Sequence, residues 1–193
     1  MWVALQGGNA LTDDPSVLDG SVGELVHRIT LVHLTNSNLG GSNSPGRSDH
    51  GLSGPGREFV RRCNANRILV DLAHAGKRTF WDALEVHDAS VPPIVSHTGV
   101  EAVYPHWRNI DDDQIRAIAD RGGVVGIIYA CNFLEKHLLH GTRAAIVDHL
   151  EHIVELVGDD YAAIGTDYDG MIIPPKDLPD VTHHPLLVQD MLD

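Results

Sequence analysis

Six side chains have the types and the spacing to do hydrolytic chemistry. His74 closes the run Ile-Leu-Val-Asp-Leu-Ala-His (68–74), and His97 closes Ile-Val-Ser-His (94–97). Neutral imidazole binds zinc well, and histidines on consecutive strands can share one ion. Asp167 lies in Ile-Gly-Thr-Asp-Tyr-Asp-Gly (164–170). A carboxylate beside a metal-bound water can act as general base and then as acid to a leaving amine. The alternative for Asp167 is an Asx turn ahead of Gly170, a role that suits Asp169 better. His33 could donate to a tetrahedral oxyanion, or could merely tie down a loop. Arg108, in His-Trp-Arg-Asn, carries a planar fork suited to a substrate carboxylate. A surface ion pair with Asp111 or Asp112 accounts for it equally well. Gln6 ends the first apolar run.

These groups share a place in the pattern. Short apolar, often β-branched runs occur at residues 2–5, 29–32, 68–72, 94–95, 124–128 and 162–164. Such runs read as strands buried on both faces. Helical patterns lie at 56–64, 77–87, 112–121 and 143–157, and a last helix starts near Pro185. Asp111 and Gln114 stand at capping-box spacing ahead of the third. Strand–helix alternation predicts parallel strands with helical crossovers. A doubly wound sheet and a (β/α)8 barrel both fit. The chain has no G-x-G-x-x-G turn after a strand, which weakens a dinucleotide reading. Gln6, His33, His74, His97 and Asp167 all follow strand runs, and strand C-termini form the active face of a parallel barrel. The segment 35–56 is long and rich in Gly, Ser, Asn and Pro. Loops of that length cover an active site or move. The strands on either side of it read as one sheet, so residues 1–193 are expected to form one domain.

Composition narrows the function classes. The 193 residues carry a formal charge of −13. That argues against nucleic-acid binding and against docking on anionic lipid. Cys63 and Cys131 read as small buried hydrophobes rather than a disulfide framework. With 13 histidines and two cysteines, His is the expected ligand for any metal. No apolar run is long enough for a membrane span, and the start has no basic n-region. A cytoplasmic location is the expectation. The chain enters a strand-like run at once, which suggests a cut inside a fold. Asp111, Asp112 and Asp113 read as a helix N-terminus rather than a metal cluster. His137, His140, His183 and His184 read as surface residues.

The ordered motifs at 68–74, 94–97, 107–112 (Trp-Arg-Asn-Ile-Asp-Asp) and 164–170, with Leu-Thr…Gly-Leu-Ser…Gly-Arg-Glu-Phe-Val over 34–60, resemble the membrane (renal) dipeptidase family of amidohydrolase-like barrels. The resemblance runs along nearly the whole chain. It implies an α/β fold of the (β/α)8 TIM-barrel type, with strands three to eight present and the first two strands and the end of the last helical region lacking. It implies a hydrolase that cleaves dipeptides, with two zinc ions bridged by a carboxylate and a hydroxide. By motif, His74 and His97 would hold one zinc and Asp167 would be the acid/base near the other. His33 would polarise the scissile carbonyl, and Arg108 would bind the substrate's C-terminal carboxylate. Two departures stand out. The family's opening His-x-Asp motif has no counterpart before Trp2, and its Glu-Gly-Gly-His reads Gln6-Gly7-Gly8-Asn9 here. Gln6 therefore stands where a bridging, metal-binding glutamate is expected. This leaves open one zinc or none, and with it a mononuclear amidohydrolase acting on another small amide or a lactone, or a non-catalytic fragment. A small dipeptide or amide is the expected partner, and a homodimer is left open.

Overall fold

The computed structural model describes residues 2–11, 14–136 and 141–193. The chain divides into two compact units, one of Met1–Val95 with Arg121–Gly123 and one of Ser96–Asp120 with Val124–Asp193. Every registered strand pair is parallel. The alternation of strands and helices predicted this α/β arrangement.

The first unit is built on strands β1 (Val3–Gln6), β2 (Val26–Thr30) and β3 (Leu69–Asp71), in the order β1-β2-β3. Gln6 pairs with Thr30, and Thr30 with Asp71, so the C-terminal ends of the three strands are level. The second strand begins earlier than the apolar run suggested and ends at Thr30; Leu31 and Val32 continue buried beyond it. Helix α1 (Ser21–Leu25) and two 3-10 turns, Gly8–Leu11 and Pro15–Asp19, fill the β1–β2 connection. Periodicity gave no sign of elements this short. Helix α2 (Gly54–Ala65) starts where the Ser53 hydroxyl accepts from Gly56 N–H, with Pro55 in its first turn. It buries Phe59, Val60 and Cys63. Helix α3 (Lys77–Val86) buries Phe80 and Leu84. Ile29, Ile68 and Val70 of the sheet region are all fully or almost fully buried.

The second unit carries β4 (Val95–Thr98), β5 (Val125–Ile127) and β6 (Ala162–Ile164), in the order β4-β5-β6. The fourth strand extends past the expected 94–95, so His97 lies within it rather than after it. Two glycines allow close strand approach. A Cβ on Gly126 would fall 2.3 Å from the Ser96 carbonyl oxygen, and one on Gly165 would fall 2.0 Å from the same atom. Helix α4 (Asp112–Ala119) opens with the expected capping box between Asp111 and Gln114. Asp112 and Asp113 complement its first turn. A short helix α5 (Cys131–Leu134) precedes α6 (Arg143–Val157), which packs on α4 and on α7 (His184–Leu192). Arg143 ties α6 to its surroundings. Its N–H donates to Asp177 Oδ1 at 2.9 Å and its guanidinium pairs with Asp190 on α7. Among the described residues, no helix is long and apolar enough to cross a membrane.

Candidate functional site

The first unit gathers three of the six singled-out residues. Gln6 ends β1, and its amide Nε2 lies 3.3 Å from His74 Nε2. The His33 ring meets the His74 ring edge-on, with centroids 4.6 Å apart. Each arrives by a local backbone device. Gly7 turns the chain at φ +108 after Gln6, and its N–H donates to the Thr30 carbonyl. His74 itself adopts φ +65, a left-handed conformation that is costly for a residue with a Cβ and needs surrounding structure to hold it. Its carbonyl accepts from Asn43 N–H at 2.9 Å.

Asp71, three residues before His74, went unmarked in the sequence pattern. It is fully buried. Its Oδ2 accepts from Thr30 Oγ1 at 2.7 Å and from Arg28 at 3.1 Å, and its Oδ1 accepts from Ala73 N–H at 3.0 Å. A charge inside an otherwise apolar strand requires such partners, and that was the available signal. Here Asp71 shapes the turn that delivers His74.

In the second unit, His97 is 5% exposed and its Nδ1 lies 2.8 Å from Ser96 Oγ. Arg108 is 1% exposed, and its Nη2 donates to the His97 carbonyl at 3.0 Å. Its own carbonyl accepts from Thr98 Oγ1, and its N–H donates to His106 Nδ1. Arg108 is therefore buried rather than a surface residue. Asp111 is occupied as a helix cap and Asp112 binds His152. Asn109 completes the turn, accepting from Gly99 N–H and donating to the carbonyls of Tyr104 and Phe133. Desolvation and the Arg108 charge together push the His106 imidazole below its ordinary value.

Asp167 stands beyond β6 at φ +56. Its carbonyl accepts from Gly170 N–H at 3.0 Å, closing a tight backbone turn over residues 167–170. A Cβ on Gly170 would lie 2.3 Å from Asp167 Oδ1; only glycine admits the carboxylate there.

The remaining expectations divide. Both cysteines are buried, and desolvation lifts Cys63 to about 12 and Cys131 to about 11. Both stay protonated and behave as small hydrophobes. His183 is half-buried beside Asp180. His184 is also half-buried. It stacks on Tyr168, meets Tyr129 edge-on, and has a buried Nε2. His137 and His140 lie outside the described residues.

A profile of the membrane dipeptidase family, peptidase family M19, matches residues 1–193. The chain belongs to this family. It is 31% identical over 185 residues to an uncharacterized dipeptidase of Schizosaccharomyces pombe, covering 95% of this chain and 45% of that one. It is 33% identical over 168 residues to the dipeptidase tcpJ of Claviceps purpurea, covering 86% of this chain and 39% of that one. Among solved structures it is similar to a metallopeptidase of Rhodobacter sphaeroides bound to a phosphinate mimic of the dipeptide L-Ala-D-Ala. That match has a TM-score of 0.87 and 26% identity, and it covers 99% of this chain and 56% of the other. The chain thus spans about half the length, or less, of these relatives.

Members of the membrane dipeptidase family are metal-dependent, and neutral imidazole is a donor that suits zinc. His97 has one ring nitrogen held by a hydroxyl, the outer contact that orients a ligating imidazole. His74 is a buried imidazole whose Nε2 already faces the polar end of Gln6. Among the described residues, no group of three or more His, Cys, Asp or Glu side chains is gathered tightly enough to enclose an ion alone.

Proposed function

We propose that this chain is part of a zinc-dependent dipeptidase that hydrolyses the amide bond of small dipeptides, with its six strands serving as strands three to eight of a (β/α)8 barrel. The observation that carries this is the match of the membrane dipeptidase family along residues 1–193. Zinc, when bound, supplies a Lewis acid and activates water for attack. His74 and His97 would hold it as neutral imidazoles. Ser96 Oγ lies 2.8 Å from His97 Nδ1, so that nitrogen is engaged within the protein and Nε2 is the one that would face a metal. His33 donates to the carbonyl oxygen as that atom gains charge. Asp167 takes the proton from the attacking water and returns it to the leaving amine. Arg108 binds the substrate's terminal carboxylate. Its planar fork suits bidentate recognition of a carboxylate.

Gln6 favours a second reading, in which one ion rather than two serves the reaction. A neutral amide offers an oxygen but cannot offset two dications. Metal analysis separates the two: near one equivalent per chain supports the mononuclear reading, and near two removes it.

The activity test is a panel of dipeptides, L-Ala-D-Ala among them, incubated with zinc-loaded protein. The expected result is release of free amino acids, reduced about 100-fold or more by Asp167→Asn, the scale of lost general acid–base catalysis. No turnover across the panel, with zinc shown to be bound, would remove the proposal.

A further inference from the structure

The polar segment between β2 and α2 is not a loose cover. Three of its residues lie against the backbone that follows β3. Asn43 N–H donates to the His74 carbonyl at 2.9 Å, Ser42 pairs antiparallel with Ala75, and Gly76 N–H donates to the Gly41 carbonyl at 2.9 Å. Residues 74–76 are thus laced to residues 41–43 at the point where His74 holds its left-handed conformation.

One carboxylate closes this lacing. Asp49, further along the same segment, reaches the first turn of α3, whose cap position is Gly76 and supplies no side chain. Its Oδ2 accepts from Arg78 N–H. Its Oδ1 accepts from Thr79 Oγ1 at 3.0 Å, from Thr79 N–H at 3.3 Å and from Gly51 N–H at 3.2 Å. Thr79 Oγ1 in turn accepts from Gly41 N–H at 2.9 Å, which returns the network to the laced backbone. The two glycines at its ends are shaped to this side chain. A Cβ on Gly41 would fall 2.8 Å from Asp49 Oδ1, and one on Gly76 would fall 2.4 Å from Asp49 Cγ. A negative charge at a helix N-terminus is also favoured by the helix dipole.

We propose that Asp49 is a positioning residue for His74, acting through the 41–43 backbone and the start of α3 to fix the angle at which the imidazole is presented. The inference rests on the reading of His74 as a zinc ligand. An ordinary helix cap would add stability and nothing more, so the test must separate the two roles.

The experiment uses the full chain and four variants: Asp49→Ala, Asp49→Asn, His74→Ala and Asp111→Ala, the last removing the α4 cap as a stability control. Two quantities are read. One is hydrogen-exchange protection of the Asn43 and Gly76 amides without metal, and the other is zinc affinity by competition with a chelator. Asp49→Ala should lose protection at both amides and weaken zinc binding about 10–100-fold, as loss of an outer-shell partner does. Asp49→Asn keeps an acceptor oxygen and ranks with Asp as a cap, so it should recover most of both. Asp111→Ala should lower the melting temperature and move neither reading. The inference is overturned if Asp49→Ala keeps wild-type protection and affinity, or if Asp111→Ala weakens zinc as much. Should Asp49→Ala fail to fold, Thr79→Val cuts the same network and is held to the same outcomes. If His74→Ala binds zinc like the wild type, the ligand reading is what fails, and the exchange data alone then support or overturn the positioning role.

Discussion

His149 on α6 is fully buried with both ring nitrogens engaged. Val100 N–H donates to Nδ1 at 2.8 Å, and Nε2 lies 3.0 Å from the Leu134 carbonyl. A backbone N–H can only donate and a carbonyl can only accept, so the ring is the neutral Nε2–H tautomer. A second proton would set two N–H groups against each other. Desolvation is the main cause that pushes the imidazole below its ordinary 6.5. Between that depressed value and 6.5 the folded chain holds fewer protons than the unfolded one, so stability rises with pH across this window. Replacing His149 by Phe should cost about 1–3 kcal/mol for each backbone group left unpaired. Denaturation of both proteins from pH 8 downward should show the gap constant above about 6.5 and shrinking below it, where only the wild type loses stability by this route. A gap that widens on acidification contradicts the assignment. His149 was not legible in the sequence, because a histidine on the apolar stripe of a helix looks alike whether or not a partner 49 positions away exists. His74 and His97 were legible because each interrupts or closes an apolar run.

The elements carry their own constraint at the β4–β6 sheet. Gly126 and Gly165 both face the carbonyl of Ser96, the residue whose hydroxyl holds the His97 ring. Gly165→Ala should therefore destabilise by the upper end of the about 1–3 kcal/mol typical of overpacking. Because Ser96 must shift, it should also weaken zinc binding. Chemical denaturation with a parallel metal titration checks both, and an alanine variant with wild-type stability would contradict the packing. Helices α2, α3, α4 and α6 and all six strands were readable from periodicity and capping signals, within a few residues at their ends. The misses have physical causes. Helices α1 and α5 and the 3-10 turns are too short to show a period. The strand extension through His97 replaces apolar residues with polar ones whose partners lie elsewhere in the chain.

For the whole molecule, family membership and parallel α/β architecture were visible in the order of four motifs, and the comparisons agree with that order. The consequence of Gln6 was not. An amide at the end of β1 beside His74 fits a ligand, a hydrogen-bond donor to the ring, or both, and spacing cannot choose among them. The most direct measurement is a calorimetric titration of the metal-stripped chain with zinc, repeated for His74→Ala and His97→Ala. Saturable binding of at least one equivalent is expected in the wild type, with its loss in both variants. Absence of saturable binding, or binding undiminished when either imidazole is removed, would contradict the ligand reading.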